Sequence, residues 1–426
     1  MTADPSLPLQ NLLPRTWREK FALAFAYPIE AILLIGLIFC LPVFEAPKNI
    51  LWLAYAVVWI VNRARGGKWG GSWDGWDSII LLWIISGYVV AAFSGLHHSE
   101  WRGGNDILRY GSILWMVKRS GYGRQALQWL SVALAASTMF ALLMAYWDLF
   151  VVHSRKALEL NSVGHVNHSA IYLTVSYGAM LFLSISYWRG LGLGWRIVVS
   201  LVTFLFAFSV LISASRGAVG IVLVLTLVAG LAWLRCSPYV LAVLLVLMAV
   251  GIGAGYLGKA EIVLKQEKYV ETNNILSFRD QIWDAALVAW RRYPLMGVGM
   301  DNFEEINANR LRQWMGTRQD GFSPEQYKGT SHAHNLYLNT LAERGLFGFS
   351  VLLAVLLAWL RWLRRFMPKK DDEALAWTLW GGSLSAWVVT VCIGVVNTTL
   401  HHEHAILSVL LLGMWLAYLR LEREQG

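Results

Sequence analysis

The sequence predicts an all-α polytopic membrane protein, with about 12 transmembrane helices and one large extracytoplasmic loop that contains helices of its own. Three observations carry that reading. Apolar residues make up 57% of the 426 positions and charged residues only 15%, with a mean hydropathy of +0.48, which excludes an ordinary soluble domain. Most of the apolar residues fall into runs close to the roughly 17 to 25 positions that a helix needs to cross hydrocarbon. The 23 Trp and 16 Tyr suit the two interfacial belts of such a bundle.

In chain order the runs fall at 27–44, 49–63, 77–95, 105–118, 126–149, 168–187, 195–213, 217–234, 238–257, 336–360, 374–396 and 404–420. The run at 105–118 is short and holds Arg109, yet charge parity requires it. With it in place, Arg15, Arg18 and Lys20 share a side with Arg63, Arg65, Lys68, Lys118, Arg119, Arg124, Arg189, Arg196 and the cluster from Arg361 to Lys370. Excess cations mark the cytoplasmic side, so both termini are expected there. The opposite side has short, cation-poor loops and one long segment. The chain thereby divides into 1–257, an N-terminal bundle of about nine spans; 258–333, the long loop with an amphipathic helix; and 334–426, a C-terminal bundle of about three spans.

Pro5, Pro8 and Pro14 interrupt the N-terminal tail, and Trp17 to Ala26 is expected to lie as a short amphipathic helix at the inner surface. No cleavable signal pattern precedes the first span, which is expected to act as the export signal itself. Inner-side clusters account for the formal charge of +9, so no nucleic-acid partner follows from it. Cys40, Cys236 and Cys392 lie in or beside apolar runs and give neither a disulfide framework nor metal-ligand spacing. The sequence has no internal repeat.

Within the long loop, Ser277 to Asp280 reads as a capping-box-like helix start and Pro294 as its stop. On the helix between them Arg279, Trp283, Ala286 and Trp290 share a face, which places the tryptophans against membrane or bundle. Arg279 then sits at the polar end of that stripe, where an interfacial arginine can also merely snorkel. Arg216 joins two spans in a very short turn on the outer side, the wrong side for a topology-setting cation. A guanidinium there suits an anionic, phosphate-bearing ligand.

The richest stretch is Ser331 to Gly348, a polar, histidine-bearing helix start that leads directly into a span. His334 is expected in the first turn of that helix, where the positive end of the dipole keeps an imidazole neutral and able to accept a proton from a hydroxyl. A histidine at this place also serves purely structural purposes. His332, Asn335, His168, Arg109 and the run His401-His402-Glu403-His404 rank second. Adjacent histidines on a loop rarely converge on one ion, and the outer side has no Asp-x-Asp pair, so no metal and no other cofactor is expected. The charge of a diphosphate would then be offset by arginine.

The order Ser277-Phe278-Arg279-Asp280, Trp283, Pro294, Gly297-Val298-Gly299, His334-Asn335-Leu336-Tyr337-Leu338 and Glu343-Arg344-Gly345 resembles the shared region of the O-antigen ligase and O-antigen polymerase superfamily, over roughly Ser209 to Phe349. The resemblance implies a glycosyltransferase of the bacterial inner membrane. It would take a glycan from undecaprenyl diphosphate at the periplasmic face, so that the long loop is periplasmic. In ligases of the superfamily the acceptor is a lipid A core sugar, in polymerases another repeat unit, and in the O-oligosaccharyltransferases a protein hydroxyl. The ligase reading is preferred on overall layout.

By the same resemblance His334 takes the role of the essential loop histidine, and Arg279 and Arg216 those of the two arginines that hold the donor diphosphate. Glu403 is the positional candidate for an outer acidic residue. A transporter or flippase of polyprenyl-linked glycans is the rival from another class, with Arg216, Arg109 and His334 along a polar path.

Overall fold

A computed structural model describes residues 25–213, 215–233, 279–315, 324, 327 and 329–425. These residues form thirteen α-helices and no strand. In order they are α1 (Pro28–Cys40), α2 (Glu45–Gly66), α3 (Gly75–Phe93), α4 (Glu100–Lys118), α5 (Arg124–Phe150), α6 (Val166–Tyr187), α7 (Leu193–Ile212) and α8 (Arg216–Trp233). After the two loop helices α9 (Arg279–Arg292) and α10 (Ala308–Met315) come α11 (Leu336–Arg365), α12 (Ala374–Val388) and α13 (His402–Gln425). The expected span 238–257, most of the tail helix and Ser277 lie outside the described residues.

Seven helices, α3, α5, α6, α7, α11, α12 and α13, are long and apolar enough to cross a membrane, and α1 and α8 are apolar but shorter. The chain is a multi-pass membrane protein. The short run at 105–118 is part of a longer helix, α4, which begins at Glu100 and packs against α3 and α13. Its low hydropathy is compatible with that position because its charges are paired. Arg109 forms an ion pair with Asp106, and Lys118 Nζ donates to Asp74 and Asp77 at 2.8 Å each. Removing one partner of such a buried set leaves an uncompensated charge and costs about 3–5 kcal/mol.

The helices alternate in direction between two ends. At one end Arg63 pairs with Glu30, Lys118 and Arg119 pair with Asp77, and Arg420 donates to the Ser72 carbonyl, so the sequence's cation clusters gather there. The other end holds the start of α6, α8, α11 and α13, the close of α3 and α12, and both loop helices.

α11 is broken near that second end. At Gly345 the backbone turns to φ 59°, ψ −165°, a region open almost only to glycine. The break frees backbone groups that the segment Pro294 to Gly299 satisfies from outside. Val298 N donates to Ala342 O at 2.8 Å, Gly299 N to Glu343 O at 2.9 Å, Leu346 N to Pro294 O at 2.8 Å and Phe347 N to Leu295 O at 3.1 Å. The same segment is tied to the end of α3, since Gly95 N donates to Gly297 O at 2.9 Å. A Cβ at Gly297 or Gly345 would fall 2.4 Å or 2.3 Å from opposing backbone. The two glycines therefore allow one chain to splint the other.

Candidate active site

The site is built around the start of α11. Asn335 caps it: the side-chain oxygen accepts from Tyr337 N at 2.9 Å and Leu338 N at 3.0 Å. Its amide donates to Val395 O at 2.8 Å, while Leu336 N donates to Gly394 O at 2.7 Å. Those carbonyls belong to a turn that follows a short π-helical stretch, Val389–Ile393, at the end of α12. Helix start and turn are thus stitched together.

His334 lies one residue before the cap and not in the first turn as expected, because Asn335 takes the capping position and the helix begins at Leu336. Its φ is +47°, a left-handed conformation costing on the order of 1 kcal/mol. Leu400 (+54°) and His402 (+50°) share that strain nearby. The half-buried ring contacts the Asn397 side chain, and its Nδ1 has no hydrogen-bond partner. Burial first, and the nearby Arg279 guanidinium second, hold the His334 pKa below the usual histidine value. Both effects favour the neutral form of the ring.

Arg279 is the first residue of α9, and Arg216 the exposed first residue of α8. A Cβ at Gly217 would stand 3.2 Å from Val396 Cγ2, so α8 begins directly against the turn that carries Asn397. Arg216, Arg279 and His334, far apart in sequence, converge on one end of the bundle. α9 itself departs from expectation. Ala285, Ala286 and Ala289 form its buried stripe against α11, while Trp283 and Trp290 are half-buried, because small residues permit the closer helix approach.

Beside His334 lies a nest of imidazoles that the sequence did not foretell. His168, buried in the first turn of α6, has ring centroids of His332, His402, His404, His165 and His401 at 5.6, 5.2, 5.4, 6.1 and 6.3 Å. His332 in turn lies 4.4 Å from His334. Burial lowers the pKa of His332 and His401, so crowded neutral rings can coexist. Among the described residues no group of three His, Cys, Asp or Glu side chains is placed to hold a metal ion.

The remaining candidates have structural partners. Glu403 is buried in an ion pair with Lys48, which also donates to Ser162 Oγ at 3.1 Å, so this acid ties α2 to α13. Arg109 donates to Asn49 Oδ1 at 2.6 Å besides pairing with Asp106. Within the Glu343-Arg344-Gly345 stretch, Glu343 accepts from Asn339 Nδ2 at 2.8 Å and Arg344 donates to Ser86 Oγ at 2.7 Å. These two side chains brace the broken helix.

Part of this geometry lies in a stretch that is similar to a known family. Residues 201–353 match the O-antigen ligase family. The matched segment runs from α7 to beyond the break in α11 and includes Arg216, Arg279, His334 and both sides of the splint. A stretch of 190 residues is also 28% identical to an uncharacterised protein of Haemophilus influenzae, covering 42% of this chain and 39% of that protein. The chain therefore matches well under half the length of that curated relative.

Proposed function

We propose that the protein is an O-antigen ligase-type glycosyltransferase. It moves a glycan from undecaprenyl diphosphate to a sugar hydroxyl of the lipid A core, at the periplasmic face of a bacterial inner membrane, with residues 258–333 as the periplasmic loop. What carries the reading is the neutral His334, held in a strained backbone beside Arg279 and the start of α8. An uncharged imidazole accepts a proton, and Arg279 near it, with Arg216 at the same end of the bundle, would favour a developing anion.

In the reaction the acceptor O–H gives its proton to His334. Its oxygen bonds to the anomeric carbon of the donor as the bond to the diphosphate oxygen breaks. The diphosphate leaves as an anion held by Arg216 and Arg279, whose guanidinium forks match phosphate oxygens. General-base help of this kind is worth on the order of 100- to 10,000-fold. Because arginine supplies the cationic charge, no metal step is required.

The test is transfer by the purified protein in detergent with a chelator present, using undecaprenyl diphosphate glycan as donor and lipid A core as acceptor. Product from wild type, reduced at least 100-fold in His334→Ala, is expected. Lengthening of the donor glycan in place of transfer to the core would make the protein a polymerase. Movement of the donor across vesicles without acceptor would make it a transporter, and full activity of His334→Ala would remove the mechanism.

A further inference from the structure

A cleft of about 80 Å³ opens next to the histidine nest between α3, α4, α11 and the loop before α13. Trp83, Asp106, Tyr110, Asp301, Thr398 and His401 supply its polar wall. It adjoins the proposed base: Leu336, two residues after His334, lines it, and Thr398 follows Asn397, which engages the His334 ring. From His401 the ring of His332 is 6.4 Å away, and from His332 that of His334 is 4.4 Å.

Two features tell what the cleft would bind. Thr398 Oγ1 and Trp83 Nε1 have no hydrogen-bond partner although their residues are only 4% and 2% exposed. A ligand with hydroxyls would give both groups the hydrogen-bond partners they lack. The set of acceptors is the second feature. Asp106, Asp301 and Glu343 line the cleft, with Arg109 paired to Asp106 and Arg102 to Asp301. Their carboxyl oxygens have further lone pairs that can accept hydrogen bonds from sugar hydroxyls. Asp301, moreover, is held at φ +60° beside the splint, with Arg102 3.7 Å from its carboxylate.

We infer that this cleft is the acceptor-sugar subsite: Asp301, Asp106, Thr398 and Trp83 grip uncharged hydroxyls of the acceptor glycan and present one of them to His334. The inference rests on the glycosyltransferase reading for the role of the bound sugar, but binding itself can be measured without any transfer.

The experiment titrates the intact protein in detergent with oligosaccharide released from lipid A core, with no donor present, and in parallel measures the acceptor KM and donor KM of transfer. The variants are Asp301→Asn, isosteric and at ease in the left-handed region, and Thr398→Val, which removes only the hydroxyl. At least tenfold weaker oligosaccharide binding and a tenfold higher acceptor KM are expected for both, with donor KM changed less than twofold and the thermal midpoint preserved. Should wild type bind the oligosaccharide and the variants bind it less, the subsite stands even where transfer is absent, which would count against the glycosyltransferase reading alone. Unaltered binding and acceptor KM in folded variants, or no binding to wild type, would overturn the subsite. A variant that loses its fold is replaced by Asp106→Asn, judged by the same criteria.

Discussion

Three features set the surroundings of the His334 ring. The Asn335 cap pushes it out of the helix, burial removes water, and Arg279 opposes a positive charge on the ring. Burial and Arg279 favour the neutral ring, so the acid limb of kcat/KM is expected below the ordinary histidine value of 6.5. The sign follows from the lowered pKa: the active form persists as pH falls past 6.5 and is lost only on approaching the depressed value. A pH profile of transfer with its acid limb at or above 6.5 would show that the ring is not held as the structure holds it. Stability should follow the same direction, because an unfolded chain binds protons to these histidines before the folded one does as pH drops below about 6.5.

The sequence made His334, Arg216 and Arg279 visible, since polar groups at the ends of apolar runs are expensive and local. It left the imidazole nest hidden, because His168 reaches His332 and His404 only through the packing of α6 against the C-terminal helices. Contacts of such separation leave no periodicity to read.

At the scale of elements, the break in α11 and its splint fix the site's geometry. Apolar periodicity continues through Gly345, so the sequence reads as one helix from 336 to 360, and Gly297-Val298-Gly299 reads as an ordinary turn. Neither segment reveals alone that four backbone hydrogen bonds join them. A Gly345→Ala substitution would force a Cβ against Leu295 from a conformation nearly closed to alanine. A loss of about 1–3 kcal/mol is expected, seen as a thermal midpoint lower by several degrees, with Gly220→Ala in α8, where a Cβ meets nothing within 4 Å, as the comparison. An unchanged midpoint for Gly345→Ala would mean that the break is not needed to hold the helix start in place. Loop helix α9 gives a similar lesson: the tryptophan stripe was conspicuous, whereas three alanines make the close contact, because packing distance rewards small side chains that hydropathy scarcely weighs.

Across the whole molecule, the charge parity that ordered the spans also orders the structure. Lys118, Arg119 and Arg63 collect at one end, each in a buried pair with Asp77, Asp74 or Glu30, while Arg216, Arg279 and His334 collect at the other. Cations are paired at both ends, Lys48 with Glu403 and Arg109 with Asp106 at the second, where Arg279 also lies near the His334 ring. The gathering of Arg216, Arg279 and His334 at one end suits the proposed chemistry at a single face better than passage through the bundle, which needs groups on both sides of the midplane.

A neutral base acting on the acceptor while arginines receive the leaving group is a single displacement, and a single displacement inverts the anomeric carbon. The anomeric configuration of the newly formed linkage, determined by NMR on product made from a donor of defined configuration, therefore tests the mechanism most directly. Inversion is the expected result. Retention of the donor configuration would contradict it, because a single displacement at the anomeric carbon cannot leave its configuration unchanged and His334 would then have to act as a nucleophile and not as a base.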